Sequence, residues 1–390
     1  MQPHDLRVAV FSGNYNYVRD GANQALNRLV GFLLAHGVAV RVYSPTSSRP
    51  AFTPTGDLVK VPGMRLPGSR GEYKLAWGLS PSVRRDLAAF APNIVHAAAP
   101  ELLGHAAAGY ARRHGIASVA SLHTRFETYP RYYGLRFIEP LVERLLTRFY
   151  NRFDRVVVPS PSVGELLCDW GVRTPIGIWS RGIDHDRFRP DRRDNAWRRS
   201  LGIADDAVVV GFLGRLVKEK GLDIFAEVAA ELRRRAVPHR VLVIGEGPAR
   251  DWFARAASDA VFAGFQSGEA LGRAVASMDV FFNPSVTETF GNVTTEAMAA
   301  GVPVVAARAT GAVDLIEDGR TGFLVSPRDV AAYADAIARI VADPALRRAM
   351  GGAAHARAAE YRWDSANQAV LETYLQVMAE RRSRSAWREP

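Results

Sequence analysis

Two carboxylates eight positions apart, Glu288 and Glu296, bracket the segment Glu288-Thr-Phe-Gly-Asn-Val-Thr-Thr-Glu296. The run from Asn292 to Gly301 reads as a helix, with Asn292 near its N-cap and Gly301 just past its end. Glu288 then lies on the entering loop and Glu296 about a turn inside. Backbone amides at such a helix start, aided by the positive end of the dipole, suit a diphosphate. Carboxylates on either side can accept hydrogen bonds from sugar hydroxyls. Upstream, Gly211-Phe-Leu-Gly-Arg-Leu-Val-Lys-Glu-Lys-Gly221 sets Arg215 and Lys220 just after a strand that ends at Gly214. Arginine offers phosphate a planar fork and lysine a compact charge. Both would stabilise negative charge gathering on a departing diphosphate. Taken one at a time, each feature has a plainer explanation: a capped surface helix, solvated cations, and, for Gly245-Glu-Gly247, a turn at a strand exit.

The elements that must position these residues alternate in type. Leu6–Phe11 is a short apolar strand, followed by a polar loop and an amphipathic run beginning at Gly21; Val38–Tyr43 is the next strand. Ile94–His96, Ser118–His123 and Arg155–Pro159 continue the series. After a Pro-, Arg- and Asp-rich stretch from Trp179 to Arg199, which reads as an interdomain linker, a second series starts at Val208–Leu213. It runs through Arg240–Ile244, Val280–Phe282, Val302–Val305 and Gly322–Val325. Strands alternating with helices imply parallel sheets covered on both faces. The fold class expected is therefore α/β, with two Rossmann-like domains facing each other across a cleft. Their boundaries are 1–185 and 186–364, and a terminal helix at about 365–382 packs back on the first.

The 390 residues suit two domains, and a hydrophobic content of 48% against 23% charged is that of a globular chain. No apolar run reaches the ~18–20 residues that span a bilayer. Met1-Gln-Pro-His-Asp-Leu-Arg lacks the apolar stretch of a signal peptide, so a cytoplasmic location is expected. The lone Cys168 excludes an internal disulfide and reads as a small buried side chain. Net charge is +10, and residues 1–190 hold 24 basic against 14 acidic residues, so the whole excess lies in the first half. That field favours an anionic partner or serves solubility.

In order along the chain stand Gly-Arg215…Lys220-Gly, Gly245-Glu-Gly247-Pro, Val261-Phe-Ala-Gly-Phe265, the spaced glutamates and Glu296-Ala-Met-Ala-Ala-Gly-Val-Pro303. Together they resemble glycosyltransferase family 4, the retaining transferases of the GT-B fold. The resemblance implies that Arg215 and Lys220 hold the donor diphosphate, Glu296 the ribose hydroxyls and Glu288 the transferred sugar. Gly214, Phe290, Gly291, Asn292 and Val293 would line the donor site, and Phe265 would meet the base. His123 matches the family histidine that points at the transferred sugar. Gly21, at a helix start, would approach the diphosphate, although many relatives carry a Gly-Gly pair in that loop. Thr289 stands where many relatives have Gly. No metal is expected, since Asp184-His-Asp186 falls in the linker, and no cofactor is required. The substrate would be a nucleotide-diphosphate sugar, with UDP favoured over GDP.

The acceptor is less directly written. His123-Thr-Arg-Phe-Glu-Thr-Tyr-Pro-Arg-Tyr-Tyr-Gly134, Leu66-Pro-Gly…Glu-Tyr-Lys-Leu-Ala76 and Trp179-Ser-Arg-Gly-Ile-Asp184 resemble the subgroup that glycosylates membrane lipids of the diacylglycerol type. Arg125, Phe126, Tyr129, Arg131 and Tyr132 interleave rings with cations, a mixture suited to an anionic membrane surface. Arg144, Arg148 and Arg152 recur every four residues, opposite a stripe containing Leu145 and Phe149. Asn14, Tyr15 and Arg19 are read as acceptor-facing. The reading is transfer of a hexosyl unit to a lipid hydroxyl, peripheral on the inner face of the cell membrane. Rival readings are a polysaccharide or polyprenyl-linked acceptor, a sugar-nucleotide epimerase, and a non-catalytic basic protein binding nucleic acid. Against the last, no nucleic-acid motif is present, and the phosphate-binding features lie in the neutral half.

Overall fold

The structure is a computed structural model describing residues 2–17, 20–65, 74–132 and 134–386. Contacts divide it into two units. Met1–Glu127, Phe137–Arg181 and Trp363–Pro390 form the first, and Thr128–Arg136 with Gly182–Arg362 the second.

In the first unit the strands are β1 (Arg7–Phe11), β2 (Ala39–Ser44), β3 (Asp57–Lys60), the antiparallel pair β4 (Gly63–Arg65) and β5 (Lys74–Ala76), then β6 (Ile94–Ala97), β7 (Ala117–Ser121), β8 (Arg155–Val158) and β9 (Ile176–Ile178). The main sheet is parallel, in the order β3-β2-β1-β6-β7-β8-β9. The second unit has β10 (Val209–Leu213), β11 (Arg240–Ile244), β12 (Val261–Gly264), β13 (Val280–Asn283), β14 (Val304–Ala307) and β15 (Gly322–Val325). Their order is β12-β11-β10-β13-β14-β15, again parallel. In both sheets the order reverses next to the first strand, which is the doubly wound topology.

Both faces of each sheet are covered, so strand residues are buried without alternation: Val8 to Phe11 and Val209 to Leu213 all lie inside. On one face of the first sheet, Leu26, Leu29 and Leu33 of the helix Gly21–Ala35 share a core with Ala366, Val370, Leu371 and Tyr374 of the helix Trp363–Ala386. The chain's last helix is thus built into the first unit, where each buried leucine or valine contributes about 1.5–3 kcal/mol.

The stretch from Trp179 to Arg199 does carry the chain from the first unit to the second, at Arg181 and Gly182, but much of it is buried. Trp179 and Arg181 are buried in the first unit, and Ile183, Phe188 and Arg198 in the second. Its polar composition misleads because the guanidinium of Arg198 is taken inside whole. It faces Asp279 at 3.2 Å and donates to the carbonyls of Ala204 and Ala207. Cys168 is exposed rather than buried, at the outer side of the helix Pro161–Asp169. Leu145 does not lie opposite the arginines with Phe149: the core stripe of the helix Glu139–Tyr150 is Leu146, Phe149 and Tyr150, and Leu145 is exposed on the side of Arg144 and Arg148.

Asp279 also accepts from the Val209 amide at 2.9 Å, so one carboxylate ties a buried cation to the start of β10. Asp279→Ala strands the Arg198 charge in the interior and should cost about 3–5 kcal/mol of stability. Urea unfolding followed by far-ultraviolet circular dichroism would read this as a lower midpoint.

Candidate active site

At the switch point of the second sheet, the loops leaving β10 and β13 stand side by side, and one ion pair joins them. Lys220 Nζ donates to Glu288 Oε1 at 2.6 Å. Burial alone would raise the Glu288 carboxyl. The Lys220 charge and its hydrogen bond, with help from Ser285, outweigh burial and hold the group below the ordinary carboxylate range. Arg215 is exposed on the same β10 loop and has no ion-pair partner among the described residues.

The helix Asn292–Ala299 begins four residues after Glu288, and its N-cap is Gly291, at φ 106°. This backbone is open to glycine at little cost, and it turns the first amides of the helix outward. No side chain caps them. Asn292 is therefore the first helical residue, one position inside the expected cap. Glu296 lies a turn further on, where burial lifts its carboxyl to about 8 against the opposing charge of Arg187.

The β10 loop is buttressed from behind by Gly245-Glu-Gly247. A Cβ on Gly245 would stand 1.9 Å from the Gly214 carbonyl oxygen, and one on Gly247 2.3 Å from that of Leu216. Backbone bonds from Gly214 N to Ile244 O and from Leu216 N to Glu246 O lock the two loops together. The motif's glycines thus permit backbone to lie on backbone, a use their turn-like appearance does not reveal.

In the first unit, His123 lies two residues beyond β7 in a buried chain of hydrogen bonds. Arg181 Nη2 donates to His123 Nδ1 at 2.8 Å. Since a guanidinium cannot accept, the imidazole proton is on Nε2, which donates to Ser121 Oγ at 2.8 Å. With that bond accepted, the Ser121 hydroxyl satisfies its own proton by donating to His96 Nε2 at 2.9 Å. His96 Nδ1 then donates to the Tyr374 hydroxyl at 2.6 Å. Burial, then the charge of Arg181, holds His123 well below the usual imidazole range, in keeping with a neutral ring whose Nδ1 accepts from Arg181. Burial also lowers His96 to about 3 and Arg181 to about 10. Trp179 backs the group, its ring 5.1 Å from that of His123 and 5.0 Å from the Arg181 guanidinium carbon. Ser121, His96 and Arg181 were not singled out in sequence; Arg181 had been assigned to a linker.

The other candidates divide. Phe265 is 68% exposed just after β12, free to stack on a base. Phe290 is buried and packs edge-on against Tyr361, so its ring supports the site without lining it. Val293 is half-buried beside that core. Gly21 does open a helix, but the Asp20 carboxylate caps it through the Asn23 amide, which already supplies an anion there. Tyr15 is fully buried, with its hydroxyl on the Thr55 carbonyl, and Asn14 is nearly so; the Tyr15 ring packs in the core and faces no ligand. Arg19, Tyr133 and 66–73 lie outside the described residues. Arg125 is paired with the buried Glu127 at 2.6 Å, and Phe126 is half-buried. Tyr129, Arg131 and Tyr132 form the short helix Tyr129–Tyr132, which packs on the turn Lys218–Lys220. Asp184 is engaged by Arg187 at 3.1 Å. Among the described residues no cluster of three or more His, Cys, Asp or Glu is arranged to hold a metal.

Two doubly wound parallel sheets in tandem, the second carrying cations, carboxylates and an uncapped helix start at its switch point, define a nucleotide-binding α/β protein of two units. Residues 207–343 match the family described as Glycosyl transferases group 1, and residues 19–187 match Glycosyltransferase Family 4. A GDP-mannose-dependent alpha-mannosyltransferase of Corynebacterium glutamicum is 30% identical over 96% of this chain and 90% of its own length. A second of that name, from Mycolicibacterium smegmatis, is 32% identical over 98% of this chain and 100% of its own. Sulfoquinovosyl transferase SQD2 of Arabidopsis thaliana is 33% identical over 79% of this chain and 62% of its own. The chain belongs to glycosyltransferase family 4 and is a retaining hexosyltransferase using a nucleotide sugar. Its fold is that of solved GT-B enzymes. Sucrose-phosphate synthase of Thermosynechococcus elongatus superimposes with a TM-score of 0.77 over 96% of this chain and 100% of that one, at 20% identity. Anabaena HepE in complex with UDP and glucose gives 0.70 over 95% and 99%, at 21% identity.

The raised Glu296 carboxyl carries a pH signature. The unfolded chain ionises this group near 4.5 and the folded one near 8, so it favours folding below 4.5. That contribution is lost as pH rises through about 8. Glu296→Gln should flatten the fall in thermal stability across this window. On the expected role of Glu296 at the ribose hydroxyls, the wild type should gain affinity for a nucleoside diphosphate in the same window, as the ionised carboxylate becomes a pure acceptor, and the Gln variant should not. Titration calorimetry at pH 6 and pH 9 would check both statements together with a melting series.

Proposed function

We propose that the enzyme transfers a hexosyl unit, with retention, from a nucleotide-diphosphate sugar to a lipid hydroxyl of the diacylglycerol type at the cytosolic membrane face. The observation that carries the donor half is the Lys220–Glu288 pair beside the open helix start at Gly291. The diphosphate lies on the amides of the helix Asn292–Ala299 and between Arg215 and Lys220. Glu296 takes the ribose hydroxyls and Glu288 a hydroxyl of the transferred sugar, with Lys220 turning from Glu288 to phosphate as the donor enters. Phe265 stacks on the base. Two relatives matched over nearly their whole length are named for GDP-mannose, which supports a GDP-sugar as donor ahead of the UDP-sugar favoured on sequence.

Retention requires a covalent intermediate or attack from the face the diphosphate leaves. The first unit offers His123 as a neutral imidazole with both nitrogens engaged, so it neither attacks nor moves a proton; it shapes the sugar site. Same-face attack follows: the departing phosphate accepts the acceptor's proton while Arg215 and Lys220 stabilise its charge. The acceptor half rests on the short helix Tyr129–Tyr132, which packs on the Lys218–Lys220 turn and so brings two tyrosines and Arg131 to the element that carries Lys220.

Lys220→Ala and Glu288→Gln should each lower kcat by about 10²–10³ in protein that remains folded by circular dichroism. The deciding experiment incubates the protein with a panel of GDP- and UDP-sugars and total lipid extract, then reads product masses. A glycosylated lipid formed from GDP-mannose is the expected result. Product found only on a water-soluble glycan, or donor consumed with no acceptor, overturns the lipid reading.

A further inference from the structure

We infer that the outward face of the helix Glu139–Tyr150, with Phe137 just before it, docks on an anionic bilayer: Phe137, Leu141 and Leu145 enter the interface while Arg144 and Arg148 bind lipid phosphates. This deepens the lipid-acceptor reading and rests on it for its purpose, though not for its test.

Phe137, Leu141 and Leu145 are 78%, 55% and 53% exposed, among the most exposed large apolar side chains of the molecule. Their spacing of four puts Leu141 and Leu145 on one face, and at about 100° per residue Arg144 and Arg148 fall on that face too. Leu146, Phe149 and Tyr150 on the other side are locked in the core, so the helix cannot roll to hide its outer leucines. The helix has two apolar faces, and only one is used by the fold.

Charge selects the occupant. Arg144 and Arg148 are exposed and have no hydrogen-bond or ion-pair partner among the described residues. Glu139 and Glu143 fall on the opposite side of the helix, with Glu139 buried. The face is thus apolar and purely cationic, inside the half of the chain that holds the entire basic excess. A second copy of the chain would set arginine against arginine, which is unfavourable. An anionic bilayer accepts leucine and phenylalanine at its boundary and arginine at its phosphates. Twelve residues cannot span a membrane, so the helix lies in its plane. Arg152, the third member of the four-residue series, is not part of the face, since its guanidinium is spent on His105 at 2.9 Å.

The test is co-sedimentation of the full-length protein with vesicles of phosphatidylcholine alone or mixed equally with phosphatidylglycerol. The wild type should partition onto the mixed vesicles at least about tenfold better than onto neutral ones. Leu141→Glu/Leu145→Glu and Arg144→Glu/Arg148→Glu should each lose about tenfold or more of that binding. Both variants should keep the wild-type melting temperature and the wild-type rate of donor hydrolysis in detergent-free buffer. Variants that bind like the wild type, or equal binding to neutral and anionic vesicles, overturn the proposal. So does a wild-type dimer in sedimentation velocity that Leu141→Glu/Leu145→Glu dissociates, since the face would then belong to self-association. A protein that glycosylates lipid in detergent yet ignores vesicles sinks the docking face and leaves the lipid acceptor standing. One that binds anionic vesicles but glycosylates only soluble glycans does the reverse.

Discussion

The reversal of strand order beside β10 is the constraint on which the donor half depends. Helices leave β10 and β13 toward opposite faces of the sheet, so their exit loops part above the strand ends and leave a gap that no backbone ladder fills. Side chains must bridge it, and Lys220–Glu288 does so. The bridge is conditional. A lysine is a mobile point charge, and a diphosphate brings more negative charge than the carboxylate it would displace. The pair therefore holds the two loops together with the groups that the proposed reading assigns to the donor. Everything around it is fixed by stiffer means: backbone against backbone at Gly245, and a buried Arg198–Asp279 pair anchoring the start of β10.

The first unit solves a different problem by the same topology. His123, at the exit of β7, is held by Arg181 and, through Ser121 and His96, by Tyr374 on the chain's last helix. The chain of bonds has a direction, because the arginine end can only donate. It therefore fixes the tautomer of every imidazole along it, and burial removes protonation as an escape. A histidine treated this way is a rigid surface. That fits the proposed same-face attack, in which the acceptor's proton goes to the leaving phosphate and no basic imidazole is called on.

How much of this could be read in the sequence depended on range. Periodicity located most strands to within a residue or two, since buried parallel strands are continuous apolar runs. β3, β4, β5 and β9 were too short or too polar to stand out. Arg215, Lys220, Glu288 and Glu296 were legible because spacing along one chain fixes their place on adjoining loops. Tyr15 was misread as acceptor-facing because a tyrosine in a polar loop gives no sign that its ring turns inward to the Thr55 carbonyl. Arg181 was missed for the converse reason: its partner is 58 residues away, and nothing local distinguishes a buried guanidinium from a solvated one. Cys168 was misread as buried, and Leu145 as opposite the arginines, because both sit at the margins of helix stripes, where a step of about 100° decides the face.

The same margin gives the outer face of the helix Glu139–Tyr150 its interest. The core is filled by Leu146 and Phe149, so Leu145 joins Leu141 in a second apolar stripe on the outer side of the helix. An exposed leucine by itself means little. Two leucines and a phenylalanine on one face, interleaved with unpaired arginines on a helix whose acids point elsewhere, are harder to explain as a by-product of folding. The donor half of the enzyme would work in solution with that face polar. Its apolar character becomes useful only if the hydroxyl to be glycosylated must be met at a surface, which ties the meaning of this helix to the acceptor and not to the chemistry at Lys220 and Glu288.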